Sequence, residues 1–181
     1  ECLAGMPRTN YHRQPDNEME RRFWAKVPIE AATAFYFFTK GSPYQHLLHE
    51  LKYKDNKQIG EVLGRYAAVD WLDTPRFNVF DKVVPVPLHP KKLALRGYNQ
   101  SECIAKGIAQ VLETTLDTQN LIRTQQNTTQ TRKTVYERYT NTEGIFSVTD
   151  SEAFANKHIL VVDDVMTTGS TLEACIQALI K

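Results

Sequence analysis

The chain has 181 residues, 41% hydrophobic and 24% charged, which is enough for one ordinary domain with a real core and excludes a disordered or fibrous polypeptide. Lys and Arg number 22 against 21 for Asp and Glu, so no global basic bias marks a nucleic-acid or membrane binder, and any anion site must come from local clustering. Cys2, Cys103 and Cys175 are too scattered for a disulfide framework and point to a reducing cytoplasm, and no apolar run is long enough to cross a membrane.

Residues 1–28 are polar, contain Pro7, Pro15 and Pro28, and read as an irregular arm with a short helix at the charge run Glu18 to Arg22. Residues 31–38, Ala-Ala-Thr-Ala-Phe-Tyr-Phe-Phe, predict a strand, followed by a turn over 40–43. Leu47, Leu48 and Leu51 recur at helical spacing, and a second helix carries Ile59, Val62, Leu63, Tyr66 and Val69 on one face; the pair is expected to cover a sheet. Lys82 to Pro87 reads as a strand whose prolines limit pairing on both sides.

The next segment, 88–100, holds Lys91, Lys92 and Arg96 and no carboxylate, so it reads as a cationic loop that would trap an anion. A helix then starts near Asn99, with Glu102 placed to complete its cap, and buries Ile104, Ala105, Ile108, Val111 and Leu112. Asn120 to Thr124 and Gly144 to Val148 predict two further strands. Between them Gln125 to Thr134 is a long polar stretch expected to be mobile without a ligand, with Gln130, Arg132, Lys133 and Arg138 in or just after it.

The most informative stretch comes last. Ile159 to Val162 reads as a buried strand that ends in two adjacent carboxylates, Asp163 and Asp164. Thr167, Thr168, Gly169, Ser170 and Thr171 follow, and then the apolar side of a helix, with Ser170 and Glu173 spaced as a capping box. Free N–H groups at a helix start, hydroxyls beside them, and a glycine that admits close approach suit a phosphate; carboxylates suit sugar hydroxyls and a hydrated Mg²⁺. Phosphate, sugar and metal together are the implied ligand.

Val161-Val162-Asp163-Asp164-Val165-Met166-Thr167-Thr168-Gly169-Ser170-Thr171 resembles the phosphoribosyl pyrophosphate (PRPP) motif of type I phosphoribosyltransferases. Together with Val84-Pro85-Val86-Pro87-Leu88-His89-Pro90-Lys91-Lys92, Arg96-Gly97-Tyr98-Asn99-Gln100 and Leu51-Lys52-Tyr53-Lys54, it resembles the ComF family, a phosphoribosyltransferase-like group associated with DNA uptake in competent bacteria. The resemblance implies an α/β fold, a type I phosphoribosyltransferase-like parallel sheet flanked by helices with a small N-terminal hood or arm. It divides the chain into residues 1–30, an arm that could be the remnant of a cysteine-rich segment, and 31–181, the phosphoribosyltransferase-like domain, read as truncated at its C-terminus.

By position, the resemblance gives Asp163 and Asp164 the ribose hydroxyls, Thr167 to Thr171 the 5′-phosphate, and Lys91, Lys92, Arg96 and Gly97 the pyrophosphate, with Arg96 the main direct contact. Gln130, Arg132, Lys133 and Arg138 fall in a loop that would close over the site. The implied cofactor is Mg²⁺, with no direct protein ligand assigned. Family members often carry an N-terminal zinc-binding cysteine cluster, of which Cys2 alone is present, so no zinc ligand is assigned. Thr167 stands where purine-salvage relatives place a carboxylate base; a hydroxyl is a poor base at neutral pH, which disfavours purine salvage.

Two readings of function follow. The first is a Mg²⁺-dependent transferase that moves a 5-phosphoribosyl group from PRPP to a nitrogen acceptor and releases pyrophosphate. The second is a non-catalytic module that senses a nucleotide or handles single-stranded DNA, with competence proteins as partners. Oligomeric state and acceptor are left open.

Overall fold

The computed structural model describes residues 5–38, 41, 45–54, 56–124 and 144–181. The central strand β1, Lys82–Pro85, is Val-rich, and Val83 and Val84 are fully buried, one on each face. Burial on both faces is what a parallel sheet covered by helices demands. Strands β2 (Thr115–Leu116) and β5 (Ile159–Val162) flank β1, both parallel to it, in the order β2-β1-β5. β2 meets only Lys82 and Val83, whereas β5 runs alongside to Pro85↔Val162. Pro85 has no N–H to give, and pairing is carried past it by the Val86 N–H, which donates to the Val162 carbonyl at 2.8 Å.

Strands β3 (Leu121–Arg123) and β4 (Phe146–Val148) occur where the sequence predicts strands, but they pair antiparallel in a separate two-stranded sheet instead of joining the parallel one. Antiparallel pairing brings Thr124 beside Ile145, whose carbonyl accepts from the Thr124 N–H at 2.9 Å, so both ends of the intervening segment meet at one place. Gln130, Arg132, Lys133 and Arg138 lie outside the described residues, as does Cys2.

One face of the parallel sheet is covered by helix α5 (Gln100–Val111), with α3 (Lys57–Trp71) packed on α5. The buried face of α3 is Gly60, Leu63, Gly64, Ala67 and Ala68; of the stripe expected, Leu63 is buried and Ile59 packs beside Leu51, but Tyr66 and Val69 are exposed. The reason is steric. A β-carbon on Gly64 would sit 2.1 Å from the Ile104 carbonyl oxygen, and one on Gly107 2.1 Å from that of Glu61, so the two backbones touch at these glycines and leave no room there for a side chain. Helix α2 (Gln45–Tyr53) packs beside α3.

The other face is covered by α6 (Ser170–Leu179), through Leu172, Ala174 and Cys175, with Phe154 beside it. The N-terminal segment joins this core through Met19, Phe23 and Val27. Its short helix α1 (Glu18–Arg21) forms where the charge run predicts one, capped by Asn17, whose amide also donates to the carbonyls of Tyr11, Gln14 and Ala32. Residues 31–38 are not a strand: apart from one antiparallel bridge, Arg8↔Tyr36, they form no ladder. Their aromatic run packs irregularly, with Phe37 N–H bonded to the Pro7 carbonyl at 2.9 Å.

Segment 88–100 is likewise not all loop. Pro90–Arg96 forms a helix, α4, with the His89 ring nitrogen accepting from the Lys91 N–H and Gly97 closing the end in a left-handed conformation, φ 75°. Proline at the first helical position and glycine just past the last is the expected terminal asymmetry, a signal present in the sequence.

Candidate functional site

The register Pro85↔Val162 brings the carboxyl ends of β1 and β5 side by side, and the chain leaving each strand meets the other there. After β1, Asn99 turns the chain into α5. Its side-chain amide donates to the Val86 carbonyl at 2.9 Å while its oxygen accepts from the Ser101 N–H at 3.2 Å, so the start of α5 is anchored to the end of β1. The Ser101 hydroxyl then donates to Asp163 Oδ1 at 3.0 Å, and the same oxygen accepts from the Asp164 N–H at 2.9 Å. Burial raises the Asp163 carboxyl above its ordinary value, and the adjacent Asp164 charge adds to the rise; the hydrogen bonds from Asp164 N–H and Ser101 and the charge of Lys52 act the other way.

Asp164 faces a different neighbour. Lys52, near the end of α2, sets its Nζ 2.9 Å from Asp164 Oδ2, with both side chains mostly buried. The position of Lys52 is itself held from the β1 side, because the Tyr98 hydroxyl donates to the carbonyl of Leu51, the fully buried residue before it. Among the described residues Asp163 Oδ2 and Asp164 Oδ1 make no hydrogen bond or ion pair. The acid pair therefore offers one open oxygen from each carboxylate, which suits two neighbouring hydroxyl donors.

Beyond the pair, Thr167 and Thr168 are exposed, and Gly169, in a left-handed conformation with φ 87°, is the N-cap of α6. The predicted capping box is not formed: Ser170 is the first helical residue, its N–H donates to the Thr168 hydroxyl at 3.4 Å, and Glu173 lies 3.8 Å from Lys26. As at any helix start, the N–H groups of Thr171 and Leu172 have no intrahelical acceptor, and they sit at an exposed loop. Thr168 and Ser170 hydroxyls lie 3.0 Å apart beside them, and Thr171 is exposed. Hydroxyls clustered at a helix start suit a phosphate. The glycine serves the turn: a β-carbon at 169 would meet Phe23 and Met166 at 3.5 and 3.6 Å, so the requirement is its φ.

Of the cationic residues, Arg96 donates to the Gln100 side chain at 2.7 Å, one residue from Ser101, and is tied to the site framework. Lys91 and Lys92 are exposed on α4, and Gly97 is exposed after it. The four loop residues from Gln130 to Arg138 are outside the described residues. Sequence reading gave no role to Ser101 or Lys52. Ser101 could have been found as the first-turn partner of the Asn99 cap; Lys52 was signalled only by its place in the family-like segment Leu51-Lys52-Tyr53-Lys54, and its partner could not be read, because only the fold carries α2 to a strand end 112 positions away.

The donor set fits Mg²⁺ as a guest of the ligand. Among the described residues no cluster of three or more His, Cys, Asp or Glu side chains could cage a metal, while two hard carboxylate oxygens remain open to a hydrated ion. A cavity of about 880 Å³ follows β5 and is lined by Asp163, Asp164 and Thr167 together with Phe37, Leu47 and Met166. No helix among the described residues is long and apolar enough to cross a membrane.

A family model described as "Phosphoribosyl transferase domain" matches residues 99–181. The chain is 29% identical over 142 residues to "DNA utilization protein YhgH" of Escherichia coli strain K12, an alignment covering 77% of this chain and 62% of the relative. It is 30% identical to the protein of the same name from Salmonella typhimurium over equal shares, and 30% identical over 135 residues to "Competence protein F" of Haemophilus influenzae, covering 72% of this chain and 58% of that relative. The chain thus spans about 60% of the length of these relatives.

Proposed function

We propose, for a chain that belongs to the ComF family of phosphoribosyltransferase-like proteins, that the site at the ends of β1 and β5 binds PRPP and supports transfer of its 5-phosphoribosyl group to a nitrogen acceptor. The observation that carries this reading is the succession at one sheet edge of two carboxylate oxygens open among the described residues and a hydroxyl-lined helix start. The first matches a vicinal diol, the second a 5′-phosphate. Asp163 and Asp164 hold the ribose, Thr167 to Thr171 hold the phosphate, and Arg96 stands on the pyrophosphate side. Bound Mg²⁺ would neutralise charge on the leaving pyrophosphate.

The chemistry asked of the protein is positional and electrostatic. A nitrogen lone pair displaces pyrophosphate at C1 through a transition state with positive charge on the sugar, and carboxylates held beside the ring stabilise that charge. No covalent nucleophile is required, and the buried thiols of Cys103 and Cys175, both pushed up by burial, are poorly suited to be one. The cytoplasm, where PRPP and a reducing potential coexist, is the matching compartment.

A second reading keeps the PRPP site without turnover and couples it to DNA. The exposed Lys91 and Lys92 on α4, within a carboxylate-free stretch, favour it, as does the similarity to a DNA utilization protein. Calorimetric titration separates the two. PRPP with and without Mg²⁺ is compared with ribose 5-phosphate and a single-stranded oligonucleotide. Mg²⁺-dependent PRPP binding is expected. No PRPP binding, with oligonucleotide binding that falls steeply as salt rises, would overturn the transferase reading in favour of a phosphate-backbone groove.

A further inference from the structure

We infer that Lys52 is a positioning residue of the ribose site: by holding Asp164 Oδ2 it orients the acid pair so that each carboxylate turns one open oxygen toward a vicinal diol. The inference rests on the PRPP reading above and adds to it a residue from the distant first half of the chain.

Two adjacent carboxylates at a strand end repel each other and, left alone, rotate about their terminal torsions, which are broad and nearly two-fold. Here each is clamped at one oxygen only. Asp163 Oδ1 is fixed by Ser101 at 3.0 Å and by the Asp164 N–H at 2.9 Å; Asp164 Oδ2 is fixed by Lys52 at 2.9 Å. The clamps come from different elements, α5 for Asp163 and α2 for Asp164, which leaves Asp163 Oδ2 and Asp164 Oδ1 open among the described residues. Lys52 is no loose surface cation. Its side chain is about one-quarter exposed, and the residue before it is fully buried and bonded through its carbonyl to Tyr98, in the same turn that begins α5. One turn of chain, Tyr98 to Ser101, thus supports both clamps.

Lys52 could instead attract the ligand's phosphates as a point charge, or merely stabilise the fold. Neither alternative depends on whether the sugar carries a 2-hydroxyl, whereas orientation of the acid pair does. The probes are therefore ribose 5-phosphate and 2-deoxyribose 5-phosphate, titrated calorimetrically into the wild-type chain and into Lys52→Met, Lys52→Arg and Ser101→Ala. A charge-assisted hydrogen bond leads us to expect a wild-type preference for the ribose of about tenfold. Lys52→Met should lower the preference to about twofold, Ser101→Ala should lower it from the Asp163 side, and Lys52→Arg should keep most of it.

An equal loss for both sugars in Lys52→Met, with the preference intact, would overturn the positioning role while leaving the PRPP site standing. Wild-type protein that binds neither sugar phosphate, or both equally, would bring down the diol site and this inference with it. Should Lys52→Met melt at a much lower temperature than wild type, Lys52→Gln, compared with Lys52→Arg below both melting temperatures, carries the test: the preference lost in the first and kept in the second supports the clamp, and the preference kept in Lys52→Gln refutes it.

Discussion

The seam between α3 and α5 gives a prediction opposite to that of helix propensity. Gly64→Ala in an exposed helix would stabilise by about 1 kcal/mol. In this seam the new methyl would lie 2.1 Å from the Ile104 carbonyl oxygen, about 1.3 Å inside the roughly 3.4 Å at which ordinary contact begins, and backbone atoms cannot rotate away. The helices must separate by about an ångström. Overpacking of this kind costs about 1–3 kcal/mol, and a rigid backbone neighbour favours the upper end. Net of propensity, a loss of about 2 kcal/mol is expected, or a fall in melting temperature of about 4–8 °C for a chain of this size. Function should suffer too, because α5 carries Ser101 to within 3.0 Å of Asp163, and an ångström of displacement removes that hydrogen bond. Urea unfolding and PRPP titration of Gly64→Ala and Gly107→Ala measure both effects. Variants as stable as wild type, or more stable, would refute the close-packed seam.

Asp163→Asn with Asp164→Asn should abolish PRPP binding yet leave the fold intact. The single change Asp163→Asn should not lower stability at pH 7 and should raise it, because burial raises the carboxyl and makes its ionised form a cost of folding; that cost accrues as pH rises from the unfolded carboxyl's value to the folded one and is constant above it, and thermal melts from pH 3 upward check the sign. Asp117 behaves in the opposite way. Burial pushes it up, but hydrogen bonds from the Asn120 side chain and backbone, Lys82 and Gln119 bring it down to about 2 from 3.8, so it contributes about 2 kcal/mol above pH 5 that is lost as pH falls toward 2. Asp117→Asn should therefore be less stable than wild type at pH 7 and equal to it near pH 2. Gly169→Val should lower stability by about 1–2 kcal/mol through its φ of 87° and weaken phosphate binding by tilting the start of α6; unchanged melting would show that the turn tolerates a β-branched residue.

Much of this molecule was legible before any coordinates. The β5 run, its acid pair and the Thr-Gly-Ser loop follow directly from local pattern, because a buried parallel strand is a short β-branched run and a helix start must meet its N–H groups somehow. β1 and the Asn99 start of α5 were equally plain, whereas α4 reads as a cationic loop although Pro90 and Gly97 signal a helix. Where local reasoning otherwise went astray, a tertiary contact had overruled it. The buried face of α3 is set by backbone contact with α5, so glycine and alanine line it while Tyr66 and Val69 face water. Residues 31–38 have strand composition but find no open ladder. β3 and β4 pair with each other because their partner is chosen by where the chain returns.

The residue types at the candidate site, two acids, hydroxyls and glycine, were thus determined by the sequence, since charge, hydrogen-bonding capacity and backbone freedom are properties of single residues. Only the tertiary structure decided which oxygens of the acids stay open. Ser101 reaches Asp163 across 62 positions and Lys52 reaches Asp164 across 112, and contacts between residues so far apart in the chain exist only once the strands and helices have packed.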